Sequence, residues 1–187
     1  MGTLIINNAT TIDGAFQAPQ PEPNGWLRLD PDSQQASLEK WQAADAMVLG
    51  RKTYEGLAAV WPQMVDLPGL EAYARQMNSM PKYVASRTLT APLDWNATLL
   101  EGELADSIAG IKARHEGNLI VTGGGELAAA LIAQGLADEL WITVCPYIWP
   151  TGPRIFDALP AVPLEHIATT TFASGVVRLT YRLGPPD

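Results

Sequence analysis

One stretch restricts this chain more than any other. Leu119-Ile120-Val121-Thr122 is followed by Gly123-Gly124-Gly125, and then by Glu126-Leu127-Ala128-Ala129-Ala130-Leu131-Ile132-Ala133-Gln134. The first four residues are apolar or β-branched, a run of the length and type of a buried parallel strand. The last nine are good helix formers, and Gly135 follows where a left-handed cap is common. Strand, glycines and helix in this order make a phosphate-handling arrangement. Residues without Cβ let a ligand approach the backbone, and the first helical N–H groups meet it with the positive end of the helix dipole. The same triplet also suits a tight turn that binds nothing, and a glycine run alone does not separate the two.

The remaining pattern alternates strands with helices. Strands are expected at 3–8, 46–49, 83–85, 98–100 and 140–144, and helices at 33–44, from 51 to just before Trp61-Pro62, at 69–77 and at 104–115. Ser33 reads as the cap of the first helix, whose Ala36, Leu38, Trp41 and Ala44 fall near one face. Asp13-Gly14 reads as a turn. The segments 164–172 and 176–183, either side of Ala173-Ser174-Gly175, read as a closing antiparallel hairpin. The expected fold is α/β, with three layers, a central mostly parallel sheet, an antiparallel C-terminal hairpin and helices on both faces. With 187 residues and no composition shift that marks a linker, a single domain over 1–187 is expected. The segment 17–31 carries Pro19, Pro21, Pro23 and Pro31 and is too long for an ordinary connection, which makes it a candidate lid.

Charge narrows the partners. A net charge of −8 disfavours nucleic acid or a membrane surface as the main partner, since both call for basic patches. A single cysteine, Cys145, excludes an internal disulfide, fits a reducing compartment and reads as a core residue. No leader or membrane-spanning run is evident, so a soluble, cytoplasmic protein is expected. His115 reads as surface at a helix end, and two histidines with one cysteine at these spacings make no metal site.

In an α/β sheet, ligands gather at the carboxyl ends of the strands. Three such exits carry suitable groups: Gly50-Arg51-Lys52-Thr53, Ser86-Arg87-Thr88, and Thr122 with the glycines. Taken singly, Arg51, Lys52 and Arg87 read as solvated surface charge. Their repetition at equivalent strand ends turns the reading toward a nucleotide carrying a pyrophosphate and a further phosphate. Of the six tryptophans, Trp26 and Trp149 lie in proline-bounded loops and are the ones expected to face a planar ligand.

These pieces, in order, resemble the dihydrofolate reductase superfamily. Within it the chain is most similar to stand-alone relatives of the reductase domain of the riboflavin-biosynthesis deaminase-reductase. The matching motifs are Ile12-Asp13-Gly14, Val48-Leu49-Gly50-Arg51-Lys52-Thr53-Tyr54-Glu55, Ala85-Ser86-Arg87-Thr88 and Val121-Thr122-Gly123-Gly124-Gly125-Glu126. The resemblance implies NADPH as cofactor, with Gly50, Arg51, Lys52 and Thr53 by the phosphates. It implies Ser86, Arg87 and Thr88 on the adenosine ribose and its 2′-phosphate. It also implies Thr122, Gly123, Gly124, Gly125 and Glu126 at the pyrophosphate, Ala9 by the nicotinamide through its backbone, and Thr143 on the substrate side, to which the loop position of Trp26 adds that residue. The family's dihydrofolate reductases carry a carboxylate at the start of the first helix. Asp32 is the nearest match and the expected catalytic acid, although its spacing to Gly50 is slightly longer than the family's; Asp30 and Glu39 are the other candidates. Each of the three also reads as an acidic residue on an exposed helix start.

The activity this implies is reduction of a small heterocycle, as in 5-amino-6-(5-phosphoribosylamino)uracil reduction, by an oxidoreductase that resemblance makes a homodimer. Two alternatives stand beside it: a true dihydrofolate reductase, and a nucleotide-binding module of the same fold without catalysis.

Overall fold

The computed structural model describes residues 1–16, 30–66, 71–123, 125–155, 157, 159 and 161–186. The candidate lid at 17–31 therefore lies almost wholly outside the described residues, as do Trp26 and Gly124. The fold class is α/β with a mixed eight-stranded sheet. By its contacts the chain divides into two compact units. The first holds residues 1–4 and 38–123, the second residues 5–37 and 124–187.

The first unit is built on a parallel run of strands. β2 (Ala44–Gly50) lies between β3 (Lys82–Ala85) and β5 (Asn118–Thr122), and β3 carries β4 (Ala97–Leu99) on its other side. All three pairings are parallel. In β2 and β5, Ala46, Met47, Val48, Leu49, Leu119, Ile120 and Val121 are fully buried. A strand covered on both faces has no use for alternation, which is why these two read as continuous apolar runs. Among the described residues this unit also carries α2 (Arg51–Ala58), α3 (Glu71–Ser79) and α4 (Leu104–Arg114), with a short 3-10 turn at Trp61–Gln63. α4 turns Ile108 and Ile111 into the core.

Lys82, left out of the expected strand, starts β3 and is buried at 1% exposure. Its Nζ donates to the Asn78 carbonyl at 3.2 Å and sits 4.1 Å from the centroid of the Trp95 ring. Burial disfavours the charged form and lowers its pKa to about 8. His115 is not the surface residue expected. Its Nε2 lies 3.0 Å from the Tyr83 hydroxyl and its Nδ1 lies 3.7 Å from Asp45. Strand β3 brings Tyr83 to the end of α4, a contact across 32 residues that a local pattern cannot announce.

The second unit has the order β1-β6-β8-β7, from β1 (Thr3–Thr11), β6 (Glu139–Cys145), β7 (Leu164–Thr171) and β8 (Val177–Leu183). β1 and β6 are parallel; β6–β8 and β7–β8 are antiparallel, as expected of a closing hairpin. β7 is exposed along its whole length, and its register shifts between His166 and Ala168. Helix α5 (Glu126–Ala133) ends as the sequence suggests. Gly135 takes φ +63° and donates to the Ile132 carbonyl, while Leu136 donates to that of Leu131, the paired closure of a left-handed cap.

Helix α1 (Pro31–Gln42) starts two residues earlier than expected, and its cap is Asp30, not Ser33. The Asp30 carboxylate accepts the Ser33 N–H at 2.7 Å, and the Ser33 hydroxyl donates back to the Asp30 carbonyl at 2.9 Å. Pro31 has no N–H to satisfy and its φ suits the first helical position, so Asp-Pro outcompetes the serine. At its other end Ala44, expected in the helix, pairs with Asn118 as the first residue of β2. Among the described residues no helix is long and apolar enough to cross a membrane.

Candidate functional site

In the first unit, β2 is parallel to both neighbours, with Gly50 opposite Ala85 and Val48 opposite Val121. The carboxyl ends of β3, β2 and β5 therefore open side by side. Gly50 is the extended residue that precedes α2, and Arg51, Lys52 and Thr53 form the first turn of that helix. Their backbone N–H groups have no partner within the helix, and the dipole favours an anion there.

Arg51 pairs with Glu55 at 3.0 Å, one helical turn on, with both side chains more than 40% exposed. Lys52 and Arg87 are exposed. After β3, the Ser86 hydroxyl accepts the N–H groups of Thr88 at 3.1 Å and Leu89 at 3.0 Å. Ser86 thus orders its own turn, and the residues it presents to solvent are Arg87 and Thr88. The third exit is joined to the first by contact. Gly123 has φ +83°, and a Cβ built on it would lie 2.3 Å from Thr53 Oγ1. Only a residue without a side chain lets the end of β5 pass so close to the first turn of α2. Thr122 and Thr53 are half-buried at this point. The expected phosphate-side residues of this unit, Gly50, Arg51, Lys52, Thr53, Ser86, Arg87, Thr88, Thr122 and Gly123, thus share one rim.

In the second unit Ala9 and Thr143 are register partners on β1 and β6, and Thr143 is in turn opposite Arg178 on β8. Paired residues on adjacent strands share a face. Two residues further on, Thr11 is opposite Cys145. Cys145 and Val176 are fully buried, and Ala9, Tyr147, Trp149 and Phe172 pack against them. The Arg178 guanidinium lies 5.4 Å from the Phe172 ring centroid and donates to the Ala36 carbonyl at 3.4 Å. Gly125 and Glu126, the latter exposed, open α5.

The carboxylates separate by partner. Asp32 sits exposed in the first turn of α1, and Glu39 is also exposed on that helix. Asp30 accepts from the Ser33 and Ser174 N–H groups, each at 2.7 Å, and these bonds hold its pKa down to about 2. An acid held ionised so far below neutrality is not a proton donor at pH 7; it ties α1 to the β7–β8 turn. Because the folded pKa lies below the ordinary 3.8, the stability Asp30 adds is complete above 3.8 and is lost as pH falls toward about 2. Asp30→Ala is therefore expected to lower Tm at pH 7, and the gap to wild type to close across that acid window in scanning calorimetry. A gap independent of pH would show that the charge is not what holds the cap.

From the sequence Asp13 reads as a turn residue within the motif Ile12-Asp13-Gly14. The turn is there, with Gly14 N–H on the Thr11 carbonyl, but the carboxylate is also a hub. It accepts the Thr11 hydroxyl at 2.6 Å, the Trp149 N–H at 3.1 Å and Arg154 Nη1 at 2.6 Å. The same Arg154 nitrogen donates to the Asp13 carbonyl. The Thr11 bond, then those from Arg154 and Trp149, hold the Asp13 pKa well below the usual carboxylate range. Arg154 lies 141 residues from Asp13, so no local spacing signals the pair.

A model of the RibD C-terminal domain matches residues 2–178. The chain belongs to that family. Its relatives include YyaP, an uncharacterized protein of Bacillus subtilis (strain 168), 26% identical over 179 residues that span 95% of this chain and 93% of the relative. Among solved structures, a putative riboflavin biosynthesis protein from Shewanella sp. PV-4 superposes with TM-score 0.75 at 24% identity, covering 97% of this chain and 99% of that one. A dihydrofolate reductase from Enterococcus faecalis complexed with NADP(H) and RAB-propyl gives TM-score 0.61 at 19% identity, covering 98% and 97%. These likenesses establish a dihydrofolate-reductase-like fold.

Proposed function

We propose that the protein is an NADPH-dependent reductase of a small planar heterocycle, similar to 5-amino-6-(5-phosphoribosylamino)uracil reductase. The observation that carries this reading is the rim of the first unit, where three parallel strand ends present bare backbone, a helix N-terminus and two arginines together. The rim suits the group. Gly123 lets the end of β5 close against Thr53, and the donor set of Arg, Lys, Ser, Thr and N–H groups is one that phosphate oxygens satisfy. Lys52 would meet the pyrophosphate side, and Arg51 and Arg87 with Thr88 the 2′-phosphate. When bound, the cofactor supplies the hydride. In the second unit Ala9 and Thr143 would position the heterocycle on a face that Cys145, Val176 and Phe172 keep dry. Dihydrofolate reduction is less well supported, because Asp30 is spent as a helix cap and Asp32 is exposed.

The deciding experiment is a thermal melt with and without NADPH. At a hundredfold excess over Kd, binding adds about 2.7 kcal/mol, which is roughly 5–10 °C in Tm for a chain of this size. An unchanged Tm at millimolar NADPH refutes the reductase reading and leaves a module that does not use this nucleotide.

A further inference from the structure

Trp149 carries an unspent donor. Its Nε1 is buried and, among the described residues, meets no acceptor. Other indoles in the chain are treated differently: Trp141 Nε1 donates to Glu139 at 2.8 Å and Trp95 Nε1 to Asn78 at 2.7 Å. A buried donor left unpaired costs about 1–3 kcal/mol, which a fold sheds by rotating the group unless something fixes it. Here the fixing is visible. The Trp149 N–H is bound by Asp13, and its ring stacks on Tyr147 at 5.7 Å between centroids. The loop that bears it is tied to the Asp13 turn at further points: Ile12 N–H to the Tyr147 carbonyl at 2.9 Å, Ile155 N–H to the Gly14 carbonyl at 3.0 Å, and the Arg154–Asp13 pair.

The place is as telling as the group. Trp149 packs on the cluster of Cys145 and Val176 together with Ala9 and Phe172. In the turn that runs from Phe172 to Val176, the Ser174 N–H is held by Asp30 at 2.7 Å. The unsatisfied indole N–H thus belongs to a residue bordering an apolar, aromatic-rich cluster. An indole N–H can only donate, so its complement is an acceptor.

We infer that Trp149 is a specificity-determining residue whose Nε1–H donates to a ring carbonyl of a planar heterocycle, with Asp13 and Arg154 as the residues that position it. This deepens the reductase reading and rests on its assignment of the heterocycle to this face. Ligands of the uracil class, flat and bearing ring carbonyls, satisfy the donor; ring systems without a carbonyl leave it empty. Rejection of the second kind follows from the unpaired N–H rather than from size.

The test compares Trp149→Phe with wild type by titration calorimetry on the full chain, using 5,6-diaminouracil and the carbonyl-free 4,5-diaminopyrimidine as probes. The expected result is a loss of about tenfold for 5,6-diaminouracil and none for 4,5-diaminopyrimidine. Equal losses, or no loss, overturn the inference, as does a wild-type protein that takes neither probe at millimolar concentration. Failure of the reductase reading shows separately, as an absent NADPH shift in Tm for both proteins. Should Trp149→Phe not fold, Asp13→Asn frees the loop with the indole intact and should weaken 5,6-diaminouracil alone, by about threefold; a variant that binds both probes as wild type does overturns the inference.

Discussion

Replacing Arg51 and Arg87 together with alanine is expected to weaken NADPH by roughly a hundredfold or more and NADH by less than about tenfold. A hydrogen bond to a charged group contributes about 1.5–3 kcal/mol, and each lost 1.4 kcal/mol is a factor of ten. Arg51 now faces Glu55 in an exposed pair, which is worth at most about 1 kcal/mol. Exchanging that partner for a phosphate oxygen is favourable, because the phosphate adds charge and accepts a bidentate contact. Arg87 is exposed on a turn that Ser86 orders, so its backbone is set before any ligand arrives. The two cofactors differ only in the 2′-phosphate, and the ratio of their dissociation constants isolates what that group contributes. Titration calorimetry of the double variant with each cofactor measures it. Equal losses would remove the arginines from 2′-phosphate recognition. The NADPH advantage should also shrink with added salt, since both side chains lie in water.

The second large effect belongs to Gly123→Ala. The added Cβ would stand 2.3 Å from Thr53 Oγ1 and 2.9 Å from its Cγ2, at a backbone φ of +83° that L-residues avoid. Clash and strain together are expected to cost about 3 kcal/mol, roughly 6–12 °C in Tm. NADPH binding should fall further than stability does, because relief of the clash moves α2's first turn away from the end of β5. The partner variant Thr53→Ala identifies the cause. It deletes both close atoms and leaves only Thr53 Cβ, at 3.2 Å, so the double variant should regain the part of the loss due to contact and keep the part due to φ. Strictly additive losses would show that the two residues do not meet, and with them would go the claim that β5 and α2 share a rim.

Much of this was legible in the chain itself. β2 and β5 announce themselves because strands buried on both faces are written as unbroken apolar runs, and α5 because good formers end at a glycine. The rim followed from chemistry repeated at three strand exits. What escaped was non-local or depended on which of two neighbours won. Asp30 and Ser33 both suit a cap, and Pro31 decided between them. Ala44 has helical propensity but a strand partner in Asn118. Asp13 and Arg154 meet only once both loops are folded. Lys82 is buried because Trp95 and the Asn78 carbonyl receive it, whereas composition alone assigns lysine to the surface.

Strand β7 has a consequence for how this protein behaves at high concentration. Its outer edge offers backbone donors and acceptors to any extended polypeptide, the situation that drives sheets to grow into fibres. The register shift between His166 and Ala168 breaks that ladder midway, just after Glu165, whose carboxylate pairs with Arg182 at 2.6 Å. A foreign strand can therefore align with one half of β7 or the other, not with both. The irregularity in the hairpin guards against polymerisation, and straightening it by deleting Ile167 would hand the chain an uninterrupted template.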